Sequence, residues 1–236
     1  RYDNPQYGST IRDVGIPWNS YYGYEAIGQF QSAEDVANSP HIQGRTPNVG
    51  DLKYRDQNGD DVIDADDRVV LGSTIPEITY GFNLGAEYKG FDLSMFFPGA
   101  ERVYRTLHPE AMWPFQNGAK VQRMHMDRTI VENGEIVQHG RYPRVYTVAS
   151  SSHNTSYYQF SSFNVLDASY LRMKNLQVGY TLPMSWLPSI SNVRVYFSGE
   201  NLFTLTSFPG NYDPETPDGV GYPQIKTYTL GLNITF

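Results

Sequence analysis

The last stretch of the chain, Lys226-Thr-Tyr-Thr-Leu-Gly-Leu-Asn-Ile-Thr-Phe236, decides the fold. Its apolar residues alternate with polar or small ones. This is the pattern of a β-strand, because successive side chains of a strand point to opposite faces. One face carries Tyr228, Leu230, Leu232, Ile234 and Phe236, and the other carries Thr227, Thr229, Gly231, Asn233 and Thr235. The sequence therefore predicts a strand at about residues 225–236 with one apolar face and one polar face.

Four stretches upstream show the same alternation. They predict strands at about residues 78–88, 91–100, 168–182 and 192–206. Only Lys89-Gly90 separates the first two stretches, which predicts a tight hairpin. In the third stretch, Leu171 and Met173 have the opposite parity to the apolar residues that follow them. This change of parity predicts a bulge near Lys174.

The predicted strands have the length that a tilted strand needs to cross a bilayer, about 10 residues. Short connections at 89–90 and 183–192 alternate with long ones at 101–167 and 209–224. Outer-membrane barrels combine short periplasmic turns with long extracellular loops in this way. A soluble β-sandwich or jelly roll is the alternative, but its strands are usually shorter, about five or six residues. We therefore predict an all-β fold made of the C-terminal strands of a large antiparallel transmembrane β-barrel with long extracellular loops.

The composition limits the class of function. The chain has 236 residues, with 18 Lys and Arg against 25 Asp and Glu and a net charge of −7. This balance disfavours a nucleic-acid partner, because phosphate binding needs clustered cations. The absence of cysteine excludes disulfides, thiolate metal sites and cysteine nucleophiles. Asp213 and Glu215 could suggest a glycosidase pair, but their Asp-Pro-Glu setting indicates a turn. We predict that the protein is not an enzyme.

An acidic segment at residues 56–67 predicts a calcium site. It reads Asp56-Gln-Asn-Gly-Asp-Asp-Val-Ile-Asp-Ala-Asp-Asp67, which follows the 12-residue spacing of an EF-hand loop. The predicted ligands of Ca²⁺ are Asp56, Asn58, Asp60, the Val62 carbonyl, Asp64 and Asp67. Asp61 replaces the usual glycine, although Asp tolerates left-handed backbone better than most residues. Asp67 replaces the usual glutamate. An acidic, solvated turn is the alternative interpretation.

The chain divides into two predicted regions. Residues 1–77 form an extracellular loop region with a short helix after Ser32 and the EF-hand-like loop, and residues 78–236 supply the barrel strands with a long outer loop at 101–167. In that outer loop, Trp113, Tyr157 and Tyr158 are candidates for stacking on a substrate. At the C-terminus, Gly231, Ile234 and Phe236 match the glycine, hydrophobic and terminal-aromatic pattern of a membrane-assembly signal.

Several motifs occur in a characteristic order along the chain. They are Tyr21–Gln31, Gly50–Asp64, Tyr80–Leu84, Tyr88–Ser94, Ala168–Leu182, Asn192–Tyr196, Glu200–Thr204, Tyr212–Glu215 and Leu230–Phe236. Together they resemble the C-terminal part of the SusC/RagA-type TonB-dependent outer-membrane receptors. The resemblance implies a plugged barrel of the 22-stranded type, to which this chain would supply the last strands. The N-terminal plug, the segment that contacts TonB and the remainder of the barrel are expected outside this chain.

The resemblance also implies a function. The family imports bulky nutrients through the outer membrane of Gram-negative bacteria, typically oligosaccharides and sometimes peptides, under a SusD-type surface lipoprotein that acts as a lid. Two other functions fit the residues alone: a soluble, calcium-stabilised carbohydrate-binding module and a secreted β-rich hydrolase. The terminal Phe236 disfavours both, because a soluble domain has no reason to end inside an apolar strand. The choice between glycan and peptide stays open at this point.

Overall fold

The structure is a computed structural model that describes residues 6–116, 120–146, 155–183, 191–209, 212–216, 221–222 and 224–236. The strands are β1 (Gln6–Tyr7), β2 (Thr10–Ile11), β3 (Ser20–Tyr24), β4 (Ala26–Gln29), β5 (His41–Ile42), β6 (Leu52–Tyr54), β7 (Val62–Ile63), β8 (Arg68–Gly72), β9 (Ile78–Tyr88), β10 (Phe91–Glu101), β11 (Tyr104–Arg105), β12 (Ile130–Glu132), β13 (Glu135–Gln138), β14 (Leu166–Asp167), β15 (Tyr170–Thr181), β16 (Asn192–Thr206) and β17 (Thr227–Thr235). The helices are α1 (Ala33–Ala37), α2 (Pro109–Met112) and α3 (Thr155–Tyr158), with 3-10 turns at Ala65–Asp67 and Arg123–Asp127. Among the described residues, no helix combines the length and the apolar composition that a membrane crossing requires.

The chain forms two compact units. The first contains Arg1–Ile75, Tyr104–Asp167 and Thr216–Gly221, and the second contains Pro76–Val103, Ala168–Glu215 and Tyr222–Phe236. The second unit is a five-stranded antiparallel sheet in the order β17-β16-β15-β10-β9. These are the five long strands that the alternation predicts, and their bounds lie within about two residues of the expected ones.

The hairpin between β9 and β10 has the predicted two-residue connection. Tyr88 pairs with Phe91, so only Lys89 and Gly90 lie in the turn. Their φ angles are 47° and 89°. Positive φ at both central residues is the mark of a type I′ turn, whose twist matches that of the flanking strands.

The register of the sheet gathers the apolar residues on one face. One row across the five strands is Tyr88, Phe91, Tyr180, Val195 and Leu232. We call this the apolar face, and large side chains on it are open to the surroundings, Leu230 being 81% exposed. The opposite, polar face includes Asp92, Gln177, Arg194 and Asn233. In a membrane barrel the first face contacts lipid and the second faces the lumen.

A bulge interrupts the sheet where the parity changes. Two residues of β10 between Phe96 and Gly99 face three residues of β15, with Lys174 among them. The ladder between β15 and β16 shifts at the same level, between Met173 and Asn175. The prediction of a bulge near Lys174 is therefore confirmed. Pro98, which has no N–H to donate, lies within the interruption, where the ladder with β15 is broken.

The first unit contains short strands rather than irregular loop alone. Strands β1, β2, β3 and β8 form one sheet, and β4 with β6, β5 with β7, β11 with β14 and β12 with β13 form two-stranded pairs. Its buried core includes Tyr24, Leu52, Tyr54 and Ile63. Helix α1 follows Ser32, whose hydroxyl accepts the Asp35 N–H at 3.1 Å, as the sequence predicts. The other strands have two to five residues, which is too short for alternation to reveal them.

Candidate functional site

An arginine and an aspartate form a bridge across the polar face. Arg194 on β16 reaches over β15 to Asp92 on β10, with Nε 2.9 Å from Oδ1 and Nη2 2.5 Å from Oδ2. Gly179 of β15 lies beneath the bridge, and a Cβ atom there would collide with both side chains. The guanidinium also lies 5.0 Å from the ring centroid of Tyr196. The absence of a side chain at Gly179 therefore allows the charged pair to lie flat on the polar face.

A second charged cluster surrounds Arg172 on β15. Its neighbours Leu171 and Met173 pair with residues of β16 on the apolar face, so Arg172 lies on the polar face. The side chain is almost fully buried, and Nη2 donates to both carboxylate oxygens of Asp213 at 2.8 and 2.7 Å. Nη1 lies 3.0 Å from Oε2 of Glu215. A buried arginine of this kind needs its carboxylates, because an unpaired buried charge is strongly destabilising.

The same cluster contains Asp213 and Glu215, for which the sequence predicts a turn rather than a glycosidase pair. The predicted turn is present, because the Glu215 N–H donates to Asp213 Oδ1 at 2.8 Å. The two carboxylates do not act as a free pair, however, since both bind Arg172, and Tyr170 also donates its hydroxyl to Glu215 at 2.6 Å. This cluster was not predicted from the sequence. The pattern that could have indicated it is an arginine within a strand whose other face is apolar.

The acidic loop at residues 56–67 is an ordered turn. Asp56 accepts the N–H groups of Gly59 at 2.6 Å and of Asp61 at 2.9 Å. Asp60 accepts the Val62 N–H at 3.0 Å. Asp61, which stands at the usual glycine position, has a φ of 63° and so adopts the left-handed backbone that this position requires. At the end of the loop Asp67 is fully buried and accepts N–H groups at 2.7 and 2.8 Å.

The donor types of this loop fit Ca²⁺, because hard oxygen ligands follow one another at EF-hand spacing. In the part of the chain that the structure describes, no three His, Asp or Glu side chains converge as a metal cage. The carboxylates are directed onto backbone N–H groups instead. Desolvation raises the pKa of the Asp56 carboxyl, but the N–H groups of Gly59 and Asp61 outweigh it and hold that pKa below its ordinary value. Calcium binding by Asp56, Asn58, Asp60, Val62, Asp64 and Asp67 thus stays a prediction.

Tyr157 belongs to the core of the first unit. It is fully buried, its hydroxyl donates to the Pro143 carbonyl at 3.2 Å, and its ring meets those of His125 and Phe163 edge to face. A ring without an exposed face cannot stack on a substrate, so the structure contradicts the prediction for Tyr157. Trp113 is partly buried at the end of α2, and its role stays a prediction. The side chain of Tyr158 lies outside the described residues.

His125 has a structural role in the same core. Its Nδ1 accepts the Gln122 N–H at 3.0 Å, and its Nε2 lies 2.8 Å from the Met112 carbonyl, to which it donates. Burial lowers the pKa of the imidazole, which favours the neutral ring that these two contacts require. Both nitrogens are therefore occupied, and neither is available to a metal.

Comparisons with known proteins place this geometry in a family. No protein-family model matches the chain. The chain is 30% identical over 252 residues to TonB-dependent receptor P3 of Formosa agariphila, covering 97% of this chain and 23% of that protein. It is 22% identical to TonB-dependent receptor SusC of Bacteroides thetaiotaomicron, covering 94% of this chain and 20% of that protein. The structure of the RagAB peptide transporter matches with a TM-score of 0.70 and 26% identity, over 97% of this chain and 24% of that chain.

The chain matches the SusC/RagA-type TonB-dependent receptors. It spans about a quarter of the length of the relatives it matches. The predicted all-β barrel fold is confirmed, and the chain is placed in the outer membrane of a Gram-negative bacterium. The matched proteins are receptors and transporters rather than enzymes. The two soluble alternatives are not supported, because the fold that matches is a membrane barrel.

In this SusC/RagA-type chain, Gly231 has a packing role that sequence alone did not show. It pairs with Tyr196 across β16 and β17, and a Cβ at residue 231 would run into the Tyr196 ring. Ile234 and Phe236 are exposed, at 44% and 88%, and Ile234 lies on the apolar face. Nothing in these contacts tests the assembly signal, which stays a prediction.

Proposed function

We propose that the receptor to which this chain belongs imports a bulky nutrient through the outer membrane, driven by TonB and covered by a SusD-type surface lipoprotein. Two observations support the proposal. The sequence and fold match proteins named SusC and RagAB. The polar face of the sheet also offers hydrogen-bonding groups to a lumen, as the passage of a polar solute requires.

Within this proposal, the cargo is an oligosaccharide. The observation that carries this choice is the pairing of the two arginines that the described strands place on the polar face. Arg194 is bound to Asp92, and Arg172 is bound to Asp213 and Glu215. Neither guanidinium is left to bind an anionic cargo, so the face suits a neutral solute rich in hydroxyl groups. The second candidate is a peptide, which the match to the RagAB peptide transporter favours.

The test is uptake by the intact receptor in its own bacterium. Cells with and without the gene receive either a fluorescently labelled ladder of neutral oligosaccharides or a labelled peptide mixture. We expect gene-dependent uptake of the oligosaccharides that disappears when TonB is deleted. Gene-dependent uptake of peptides alone would overturn the cargo assignment, and uptake that persists without TonB would overturn active import.

We also propose that the acidic loop binds a structural Ca²⁺. The EF-hand spacing and the left-handed backbone of Asp61 support this proposal. In the full receptor, Asp60→Asn should weaken Ca²⁺ binding by about tenfold or more, because ligand charge tunes the affinity of such loops. Asp66→Asn is the matched control, since Asp66 lies in the same loop but is not a predicted ligand. Equal Ca²⁺ affinities of the two variants, measured by calorimetry after chelation, would contradict the site.

A further inference from the structure

The segment at residues 212–215 belongs to the long connection between β16 and β17, yet it is held tightly. Tyr212 donates its N–H to the Pro209 carbonyl at 3.0 Å, and the Glu215 N–H donates to Asp213 at 2.8 Å. The stronger contacts lead to β15, where the two carboxylates of the segment bind Arg172 and Glu215 also accepts the Tyr170 hydroxyl. We call residues 212–215 the fastened segment.

The burial of these groups shows how the segment is held. The Arg172 side chain is 2% exposed and that of Asp213 is 12% exposed, whereas Glu215 is 37% exposed. Nη2 of the planar guanidinium donates both hydrogen bonds to Asp213, and Nη1 lies within reach of Glu215. Only arginine has this forked set of donors. The fastened segment therefore covers Arg172 on the polar face.

We propose that Arg172 is a positioning residue for transport, which holds the fastened segment against the lumenal face of β15 as a fixed wall of the cargo passage. This inference rests on the import function proposed above. Without Arg172, the two carboxylates lose their counter-charge, and hydration of the carboxylates favours release of the segment from the sheet. The wall would then be replaced by a mobile loop, and a cargo that contacts it would bind less well.

A matched pair of substitutions in the full receptor isolates this role. Arg172→Met removes the buried guanidinium and keeps a long side chain over the sheet. Arg102→Met removes a guanidinium from the same unit, where Arg102 and Glu77 form an exposed pair at 3.0 Å. Exposed pairs of this kind contribute little to stability. Both variants are first checked for wild-type amounts of folded receptor in the outer membrane.

The first measurement is hydrogen exchange of the Tyr212, Asp213 and Glu215 amides, since Pro214 has no amide hydrogen. In Arg172→Met we expect exchange to accelerate by about tenfold or more, because loss of a buried charge partner removes far more than that factor in stability. In Arg102→Met it should stay at the wild-type rate. Unchanged exchange in Arg172→Met would overturn the fastening. If Arg172→Met fails to fold, Asp213→Asn provides the same test from the other side of the ion pair.

The second measurement is the rate of uptake of the labelled oligosaccharides as a function of their concentration. Arg172→Met should raise the half-saturation concentration and leave the maximal rate unchanged, which a general loss of folded receptor would not do. Faster exchange with unchanged uptake would overturn the positioning role. If the wild-type receptor takes up no oligosaccharide, the cargo assignment has failed, and the exchange measurement still decides whether Arg172 fastens the segment.

A cross-link supplies the rescue. This chain contains no cysteine, so Arg172→Cys with Asp213→Cys forms a unique pair once any cysteine in the rest of the receptor is replaced by serine. A short bifunctional maleimide should join the two positions. It should restore slow exchange and the wild-type half-saturation concentration without the charged pair of Arg172 and Asp213. Failure of the joined protein to recover uptake would show that the arginine acts otherwise than by holding the segment.

Discussion

At the scale of single residues, Gly231 has no room for a side chain because the Tyr196 ring packs against it. Gly231→Ala adds a Cβ well inside contact distance of the Tyr196 ring. We expect a loss of about 1–3 kcal/mol in the free energy of unfolding, because overpacking forces the ring off its preferred position. Gly85→Ala is the control on the same polar face, since its Cβ would meet only the Leu93 carbonyl oxygen at 3.7 Å. Denaturant unfolding in detergent compares the two.

The same substitution separates packing from the proposed assembly signal. Adding Tyr196→Ala to Gly231→Ala removes the collision, so the double variant should recover most of the membrane-inserted receptor lost in the single variant. If the double variant stays as poorly inserted as the single one, residue 231 acts through recognition of the C-terminal strand rather than through the ring.

Asp51 gives the first unit a dependence on pH. The carboxylate accepts the Tyr146 hydroxyl at 3.0 Å and the Asn48 N–H at 2.8 Å, and burial raises its pKa to about 6 from an ordinary value of 3.8. The fold thus binds this proton more tightly than the unfolded chain does. The stabilisation that protonation of Asp51 gives the first unit is fully present below about pH 3.8 and is lost as the pH rises through about 6.

Asp51→Asn should remove that dependence. The reporter is exchange of the Leu52 amide, which donates to the Ser156 hydroxyl at 2.8 Å in the core. Corrected for intrinsic exchange, the free energy of opening in the wild-type receptor should fall by up to about 3 kcal/mol between pH 4 and pH 7. The variant should show no such fall. A parallel fall in both proteins would assign the pH dependence to other groups.

Residue-scale contacts were the hardest to predict from sequence. Arg172 and Asp213 are 41 residues apart, and no local pattern joins an arginine to a carboxylate at that distance. Tyr157 was expected to be open to a substrate but is buried against His125, because the composition of a long connection does not reveal which aromatic residues form its core. By contrast, the left-handed backbone of Asp61 followed from the loop spacing alone.

At the scale of elements, strand β17 tests the two faces of the sheet. Leu232 pairs with Val195 on the apolar face and is 58% exposed. Leu232→Arg should cost about 2–4 kcal/mol if the residue lies near the bilayer midplane, because a cation then faces hydrocarbon. Thr229→Arg is the control on the polar face. Asn233→Arg is less suitable, since Asn233 lies opposite Arg194 and a second arginine there would be repelled. Equal losses of folding free energy in lipid would contradict the assignment of the faces.

The long strands could be predicted because burial and lipid act on every second residue along about 10 positions. The bulge could be predicted as well, since a single extra residue reverses the parity from Leu171 and Met173 to Leu176. The short strands of the first unit could not. A pair such as β5 and β7, with two residues in each strand, is determined by contacts distant in sequence rather than by any local period.

At the scale of the whole molecule, the sheet has two open edges. In the described part of the chain, β9 pairs only with β10 and β17 pairs only with β16. Unpaired N–H and C=O groups are costly in hydrocarbon, so the two edges require further strands of the same receptor. Residues 76–236 expressed alone should therefore not give a heat-modifiable, protease-resistant band in detergent. Co-expression with the rest of the receptor as a second chain should restore that band, because the missing strands then satisfy both edges. Recovery of the band from the isolated segment would mean that these strands close on themselves or on another copy, contrary to the large barrel of the matched receptors.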